Sequence, residues 1–395
     1  MMKRRSVLLG VTGSIAAYKA AELARELSRH GVEVRVMMTP AATRFVSPLT
    51  FEALLASPVV TDMFDSGPAG PIPHVSLAAD ADVVLIAPAT ADCIARIVHG
   101  LADDIISCTA MASECPLIVA PAMHENMYRS AATQANIAVL QERGAVVVGP
   151  DSGDLASGGR GAGRMSPVET IIGVTMKTLG RHSDLAGRTI IVTAGGTQEF
   201  IDPVRCITNR SSGKMGYAIA EASRDRGASV VLVTAPASLT PPSGIEVVRI
   251  TSAQEMFEAT QTAVQHAQAL IMAAAVADYR PTGLSPHKIK KQGQEMLTIQ
   301  LAPTIDILGS IQGSFVKVGF AAESTELECN AEAKLTAKNL DLIVANDITA
   351  TDAGFGSESN RVIIIDRQGT FDRTPLLSKR EVADRILDRV VQLLS

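Results

Sequence analysis

Tryptophan is absent from this 395-residue chain, and Phe, Trp and Tyr together make up only 3% of it. Single-strand nucleic-acid binders stack bases on aromatic side chains, so the chain holds little material for such a platform. Dense basic character is also scarce: the net charge is −5, and the conspicuous basic runs are Lys3-Arg4-Arg5 and the KIKK stretch from Lys288 to Lys291. With no broad basic face to neutralise a phosphate backbone, nucleic acid is not an expected partner. The longest wholly apolar run, Ala269 to Ala277, falls far short of the roughly 20 residues that cross a bilayer. The N-terminus runs into an apolar strand without a cleavable signal pattern, so the expected location is the cytoplasm, with no membrane partner. Five cysteines, Cys93, Cys108, Cys115, Cys206 and Cys329, have no CxxC spacing and an odd count, which speaks against a disulfide framework and structural zinc.

Hydrophobic residues, in contrast, make up 47% of a chain longer than one core usually organises, so two α/β domains are expected, 1–182 and 183–395. Strands at Val7 to Val11, Val32 to Met38, Val83 to Ala87, Leu117 to Ala120 and Ala145 to Val148 alternate with helical periodicity in the first half. The second half repeats the alternation at Thr189 to Thr193, Ser229 to Thr234, Val247 to Ile250, Ala269 to Ala273, Lys317 to Phe320 and Leu342 to Ala345. This pattern predicts two doubly wound, mainly parallel, Rossmann-like sheets. Ala16, Ala20, Leu23, Ala24 and Leu27 fall on one face of the first helix. The glycine-rich segment Asp151 to Arg164 reads as a mobile flap rather than a regular element.

Neither half has the nicotinamide fingerprint. GVTGSIAAYK, Gly10 to Lys19, carries two glycines three apart, and the second strand of each half ends without the acid that would hold a ribose. The first turn is therefore either simple strand-to-helix packing or a phosphate cradle built from the amides of Gly13, Ser14 and Ile15. His74, ahead of a buried strand, is either structural or an acid/base group, and Thr90 in Pro88-Ala89-Thr90 is either a helix cap or part of a ligand edge. In the second half, Ser211-Ser212-Gly213-Lys214 opens an amphipathic helix and offers free amides and a lysine to an anion. It is not a Walker A loop, because Thr208 and Met215 stand where Gly and Ser or Thr are required. Lys288, Lys334 and Lys338 are candidate cations for a triphosphate; Lys334 and Lys338, four apart, equally suit a solvated helix face.

GSIAAYK, the His74 segment, APATAD, PAMHENMY from Pro121 to Tyr128 and a glycine-rich segment ending in GRM together resemble the flavin-dependent cysteine decarboxylases. DPVRCITNRSSGKMG from Asp202, AAAVADYRP from Ala273, KIKK, GFAAES from Gly319 and KNLDLIVAND from Lys338 resemble phosphopantothenate-cysteine ligase. The two in this order resemble the bifunctional family that joins both activities for coenzyme A synthesis, with a flavodoxin-like first domain.

The resemblance implies FMN bound by Gly13, Ser14, Ile15, Thr39, Pro88, Ala89, Thr90 and Ser107. It implies His74 as acid/base, with His124, Asn126 and Met127 at the substrate carboxylate. For the ligase it implies CTP with Mg2+, the nucleotide lying among Ala274, Ala275, Asp278, Lys288, Phe320, Lys334 and Lys338. Arg205 and Asn209 would act on the acyl-cytidylate and the substrate; the metal ligands and a role for Lys214 stay open. Substrates would be phosphopantothenate, cysteine and CTP, and the assembly a homo-oligomer of trimeric decarboxylase and dimeric ligase domains.

One position departs from the family. Where the flap resembled here carries a proton-donating Cys, this chain has Ser157, a far weaker acid than a thiol of pKa near 8.5. Ser157 relays the proton, Arg160 or a water replaces it, or the first domain binds FMN without completing turnover. His124 is a second, milder departure from a position where the family often has Asn, and it adds a titratable charge.

Overall fold

The alternation of apolar strands and amphipathic helices resolves into two doubly wound sheets. The computed structural model describes residues 5–64, 72–154, 158–290, 296–323, 327–347 and 357–394, and the chain divides into two units, Met1–Leu179 and Gly180–Ser395.

The first unit runs β1 Ser6–Val11, α1 Ala17–Arg29, β2 Glu33–Met38, α2 Pro48–Leu55, β3 Val59–Val60, α3 Pro73–Asp80, β4 Val83–Ala89, α4 Ala91–His99 and α5 Ile105–Ala112. It continues with β5 Leu117–Pro121, α6 Glu125–Tyr128, α7 Ala131–Glu142, β6 Val146–Val147, β7 Asp151–Asp154, β8 Arg160–Arg164 and α8 Val168–Leu179. The six-stranded sheet is parallel, in the order β3-β2-β1-β4-β5-β6. Without the two-residue edge strand β3 this is the flavodoxin-like order 2-1-3-4-5. β1 and β4 are buried along their whole length because helices cover both faces of the sheet. Ala16, Ala20, Leu23, Ala24 and Leu27 form the buried face of α1 and its entry, as their spacing predicts.

The glycine-rich segment departs from expectation, because β7 and β8 pair as an antiparallel ribbon in place of an irregular flap. Its glycines let it lie close to the chain after β5. A Cβ on Gly161 would sit 2.2 Å from a Glu125 carboxylate oxygen, and one on Gly163 would sit 2.2 Å from the Met123 carbonyl. The Met123 amide donates to the Gly163 carbonyl at 3.0 Å, which ties the ribbon to the β5–α6 turn.

The second unit runs β9 Thr189–Ala194, β10 Gln198–Phe200, β11 Cys206–Thr208, α9 Lys214–Asp225, β12 Ser229–Thr234, β13 Glu246–Arg249, α10 Ala253–Ala263, β14 Ala269–Met272, β15 Tyr279–Pro281 and β16 Leu301–Pro303. It ends with α11 Ile307–Ser310, β17 Val316–Glu323, α12 Leu327–Ala337, β18 Leu342–Asp347, β19 Ser359–Asn360, β20 Val362–Asp366, β21 Phe371–Arg373, β22 Leu377–Ser378 and α13 Lys379–Leu394. Eight strands form one sheet in the order β13-β12-β9-β14-β17-β18-β20-β21, parallel as far as β18. The order reverses at β9 and β14, the switch point where open α/β sheets place ligands. β18 continues two residues beyond the apolar stretch that marks it in the sequence. Asn346 stays in the ladder opposite Ala322 and Val362, since pairing is a backbone property that a polar side chain does not end.

Candidate functional site

At the carboxyl edge of the first sheet a cavity of about 570 Å³ opens between the β1–α1 turn, Thr90, the segment after β5 and the ribbon. It brings together Gly13, Ser14, Ile15, Thr90, His124 and Met127 of the expected set. Tyr18, Lys19, Met123, Asp154 and Arg164, which sequence reasoning did not single out, also line it.

The turn is built for close approach. A Cβ on Gly13 would lie 2.5 Å from the Ala41 Cβ, so any side chain there forces the turn off the β2 end. The Ser14 amide is turned back onto the Thr12 carbonyl at 2.8 Å, whereas those of Gly13 and Ile15 have no acceptor among the described residues. Thr12 escaped the sequence reading although it joins the two halves of the edge. Its hydroxyl donates to the Pro88 carbonyl at 2.7 Å and accepts from the Thr90 amide at 3.0 Å. The Thr90 hydroxyl caps α4 at the Cys93 amide, and the residue also lines the cavity.

Thr39, Pro88, Ala89, Ser107 and Asn126 do not line this cavity. Thr39 caps the turn after β2, and Ser107 is buried in a reciprocal cap with Asp104 at the start of α5. The ring of His124 is a cap too, its Nδ1 accepting from the Asn126 amide at 3.1 Å. His74 stands apart on α3, half-buried, with Nδ1 enclosed and lacking a hydrogen-bond partner among the described residues. A buried polar atom left so costs about 1–3 kcal/mol, which a bound hydrogen-bonding group would recover. Ser157 lies outside the described residues.

Replacing Gly13 by alanine is expected to cost flavin binding more than stability. The measurement is flavin absorbance of the purified variant against its melting temperature, and a variant as yellow as the wild type would show that the turn does not hold the cofactor.

In the second unit a cavity of about 730 Å³ lies at the switch point. Asn209, Ala274, Ala275, Asp278, Phe320, Lys334 and Lys338 all line it, although they come from segments up to 129 positions apart in the chain (338 minus 209). The residues after β14 are pinned by two buried threonines. Thr193 Oγ1 accepts from the Ala274 amide at 3.2 Å and Thr197 Oγ1 from the Ala277 amide at 2.9 Å, while the Ala275 amide donates to the Gly195 carbonyl at 2.8 Å. Those amides are engaged, and the carbonyls of Ala275, Val276 and Ala277 also accept hydrogen bonds, so the strip chiefly presents van der Waals surface to a ligand. Asn209 Nδ2 donates to the Val276 carbonyl at 2.9 Å. Lys338 Nζ is 2.9 Å from the Asp306 carboxylate, which also caps α11 at the Gly309 amide.

The segment Thr304 to Leu308 was missed in sequence, as it has neither charge pattern nor periodicity, yet it forms one wall. Lys214, Lys379, Asn346 and Asn360 form another part. Asn346 Oδ1 is buried in that wall without a partner among the described residues, a second atom suited to a ligand.

Arg205 and Lys288 do not line the cavity. Arg205 Nη1 donates to the Asp202 carboxylate at 2.9 Å and to the Ile289 carbonyl at 3.1 Å, and so fastens the KIKK segment to the DPVR turn. Lys288 is exposed, and Lys291 lies outside the described residues. Asp202 is fully buried beneath this junction. Burial works to raise its pKa, but the amides of Val204, Ile289 and Arg205 and the guanidinium outweigh it and hold the carboxyl below its usual range.

A depressed folded-state pKa contributes stability that is fully present above the unfolded value near 3.9 and is lost as pH falls through the folded one. Asp202→Asn is therefore expected to narrow the stability difference between about pH 5 and about pH 2. Urea titrations at both pH values check it, and an unchanged difference would remove Asp202 as a contributor.

Two mainly parallel sheets, each with a cavity at its carboxyl edge, one framed by a glycine turn and the other lined by several lysines, give an α/β protein with two candidate sites. Residues 1–180 match the Flavoprotein family, and residues 185–394 match the DNA/pantothenate metabolism flavoprotein C-terminal domain. The chain is 43% identical over 399 residues to the coenzyme A biosynthesis bifunctional protein CoaBC of Bacillus subtilis strain 168, covering 100% of this chain and 98% of that protein. It is 42% identical over 395 residues to the same-named protein of Escherichia coli K12, covering 98% and 97%. A solved C-terminal domain of CoaBC is 42% identical over 54% of this chain and 98% of that one, with a TM-score of 0.46. The chain belongs to the CoaBC family of bifunctional coenzyme A biosynthesis proteins.

Proposed function

We propose that the second unit is a CTP-dependent phosphopantothenate-cysteine ligase and the first an FMN-dependent phosphopantothenoylcysteine decarboxylase. The observation that carries the reading is the convergence of Asn209, Asp278, Phe320, Lys334 and Lys338 on one cavity at the switch point. Lys334 and Lys338 would offset phosphate charge, with Mg2+ accompanying the triphosphate, while Ala274, Ala275 and Phe320 flank the nucleoside. The carboxylate of phosphopantothenate attacks the α-phosphorus and pyrophosphate leaves. Cysteine's amine then displaces CMP from the acyl-cytidylate to give the amide. Asn209, whose Nδ2 donates to the Val276 carbonyl in the cavity lining, would donate to the acyl oxygen.

The Gly13 turn, whose Gly13 and Ile15 amides have no acceptor among the described residues, suits a flavin phosphate, and the His74 Nδ1, without a partner among the described residues, suits a polar ligand group. FMN, when bound, supplies the two-electron chemistry that makes the substrate carboxylate a leaving group. Gly13, Ser14, Ile15 and Thr90 would hold it, His124 and Met127 would orient the substrate carboxylate, and His74 would move the proton. His74 does not reach this cavity wall within one chain. A trimer of first units, with a neighbour's residues completing each site, is the assembly that accommodates this. A first unit that binds FMN without turning over is not favoured, since the full-length relatives carry the name of a bifunctional protein.

One assay tests the reading: phosphopantothenate, cysteine and CTP are supplied to the full chain. Pyrophosphate, CMP, CO2 and phosphopantetheine are all expected. Pyrophosphate without CO2 would leave the ligase standing and sink the decarboxylase.

A further inference from the structure

The second cavity reaches both faces of the sheet at its carboxyl edge, and the two sides are furnished differently. Lys334, Lys338 and Asp306 stand on the side where Ala321, Leu340 and Ile343 pack. Lys214 opens α9 and Lys379 opens α13 on the opposite side, where Val318, Val344 and Val362 pack. The proposed ligation uses the first side and leaves Lys214 and Lys379 without a task.

Lys379 is only 7% exposed, although lysine is rarely buried unless its charge is compensated. Its Nζ donates to the Ser357 carbonyl, and the neighbouring Glu358 carboxylate pairs with Lys214. Glu358 is itself 84% exposed, so the compensating charge is held by a weak surface pair that another anion can displace. Burial first, and then the Lys214 charge, press the Lys379 pKa down against the pull of Glu358, as expected of an ammonium group held near a second one and its carboxylate partner.

We propose that Lys379 and Lys214 form a second anion subsite of this cavity, which takes a phosphate group in exchange for Glu358. The subsite rests on the ligase reading. Its ligand is either the pyrophosphate end of the nucleotide or the phosphate of phosphopantothenate, and both present the same oxyanion chemistry to an ammonium group. Two lysine pairs on opposite sides would let the cavity hold both phosphorylated substrates without bringing their charges together.

The test uses the full chain and the variants Lys379→Met, Lys379→Arg and Glu358→Gln, each titrated calorimetrically with inorganic pyrophosphate and, separately, with phosphopantothenate. Removing one charge-assisted bond is expected to weaken one of the two titrations at least about tenfold in Lys379→Met, with partial recovery in Lys379→Arg. The same titration should tighten in Glu358→Gln, an exposed change that does not threaten folding. A weakened pyrophosphate titration with a raised KM for CTP assigns the nucleotide, and a weakened phosphopantothenate titration with a raised KM for that substrate assigns the other. Both affinities and both KM values within twofold of wild type in Lys379→Met and Glu358→Gln overturn the subsite, even where the melting temperature falls. Failure of the wild type to release pyrophosphate from CTP would overturn the ligase reading instead, and the titrations distinguish the two failures.

Discussion

Asn209→Ala is expected to lower amide formation about 10²–10³-fold, the loss seen when one preorganised donor to a developing oxyanion is removed. The side chain is half of the only hydrogen bond described between the segment after β11 and the strip after β14 through a side-chain amide, Nδ2 to the Val276 carbonyl at 2.9 Å. The strip is independently held by Thr193, Thr197 and the Gly195 carbonyl, so truncating Asn209 should leave the cavity standing. The KM for CTP should then stay within a few-fold while turnover collapses, because an interaction made only in the transition state lowers kcat and kcat/KM together. Quenched assays of CMP release and amide formation separate the steps. Amide formation near the wild-type rate would exclude Asn209 from the carbonyl.

His74→Gln is expected to lower decarboxylation about 10²–10⁴-fold, the span of a lost general acid or base, with ligation unchanged. The buried, unpaired Nδ1 makes a second expectation possible. A residue kept for packing would be satisfied by its surroundings, whereas this one leaves a polar atom without a partner, at a cost to the unliganded fold. Replacement should therefore leave the melting temperature of the unliganded chain unchanged or raise it while abolishing CO2 release. A lowered melting temperature with CO2 release within threefold of wild type would make His74 a structural residue.

Much of the fold was legible in the sequence because strands buried on both faces must be apolar and surface helices must show one apolar face. Five strands of the first sheet and six of the second follow from those two requirements, whereas β3, β20 and β21 do not. The ribbon at Asp151 to Arg164 did not, since glycine signals backbone freedom but not the neighbour for which that freedom is used. Gly161 and Gly163 are needed because Glu125 and Met123 lie against them, and no local pattern contains that fact.

The site divides along the same line. Gly13, Asn209, Lys334 and Lys338 were singled out in the sequence, whereas Thr12, Thr193 and Thr197, which pin the edges, were not. Arg205 and Lys288 belong to motifs of the family yet stand off the cavity wall, with Arg205 joined to Asp202 and Ile289.

By itself the sequence determined that there are two α/β domains and that the chain has the motifs of a two-step coenzyme A enzyme. Burial and periodicity are local properties, written in neighbouring residues. Which lysines share a cavity, which buried atoms lack a partner among the described residues, and that Lys379 lies near the Lys214–Glu358 pair were decided only by the tertiary structure. Those facts depend on strand order, and the order brings together the ends of β9, β14, β17 and β18 from chain positions far apart.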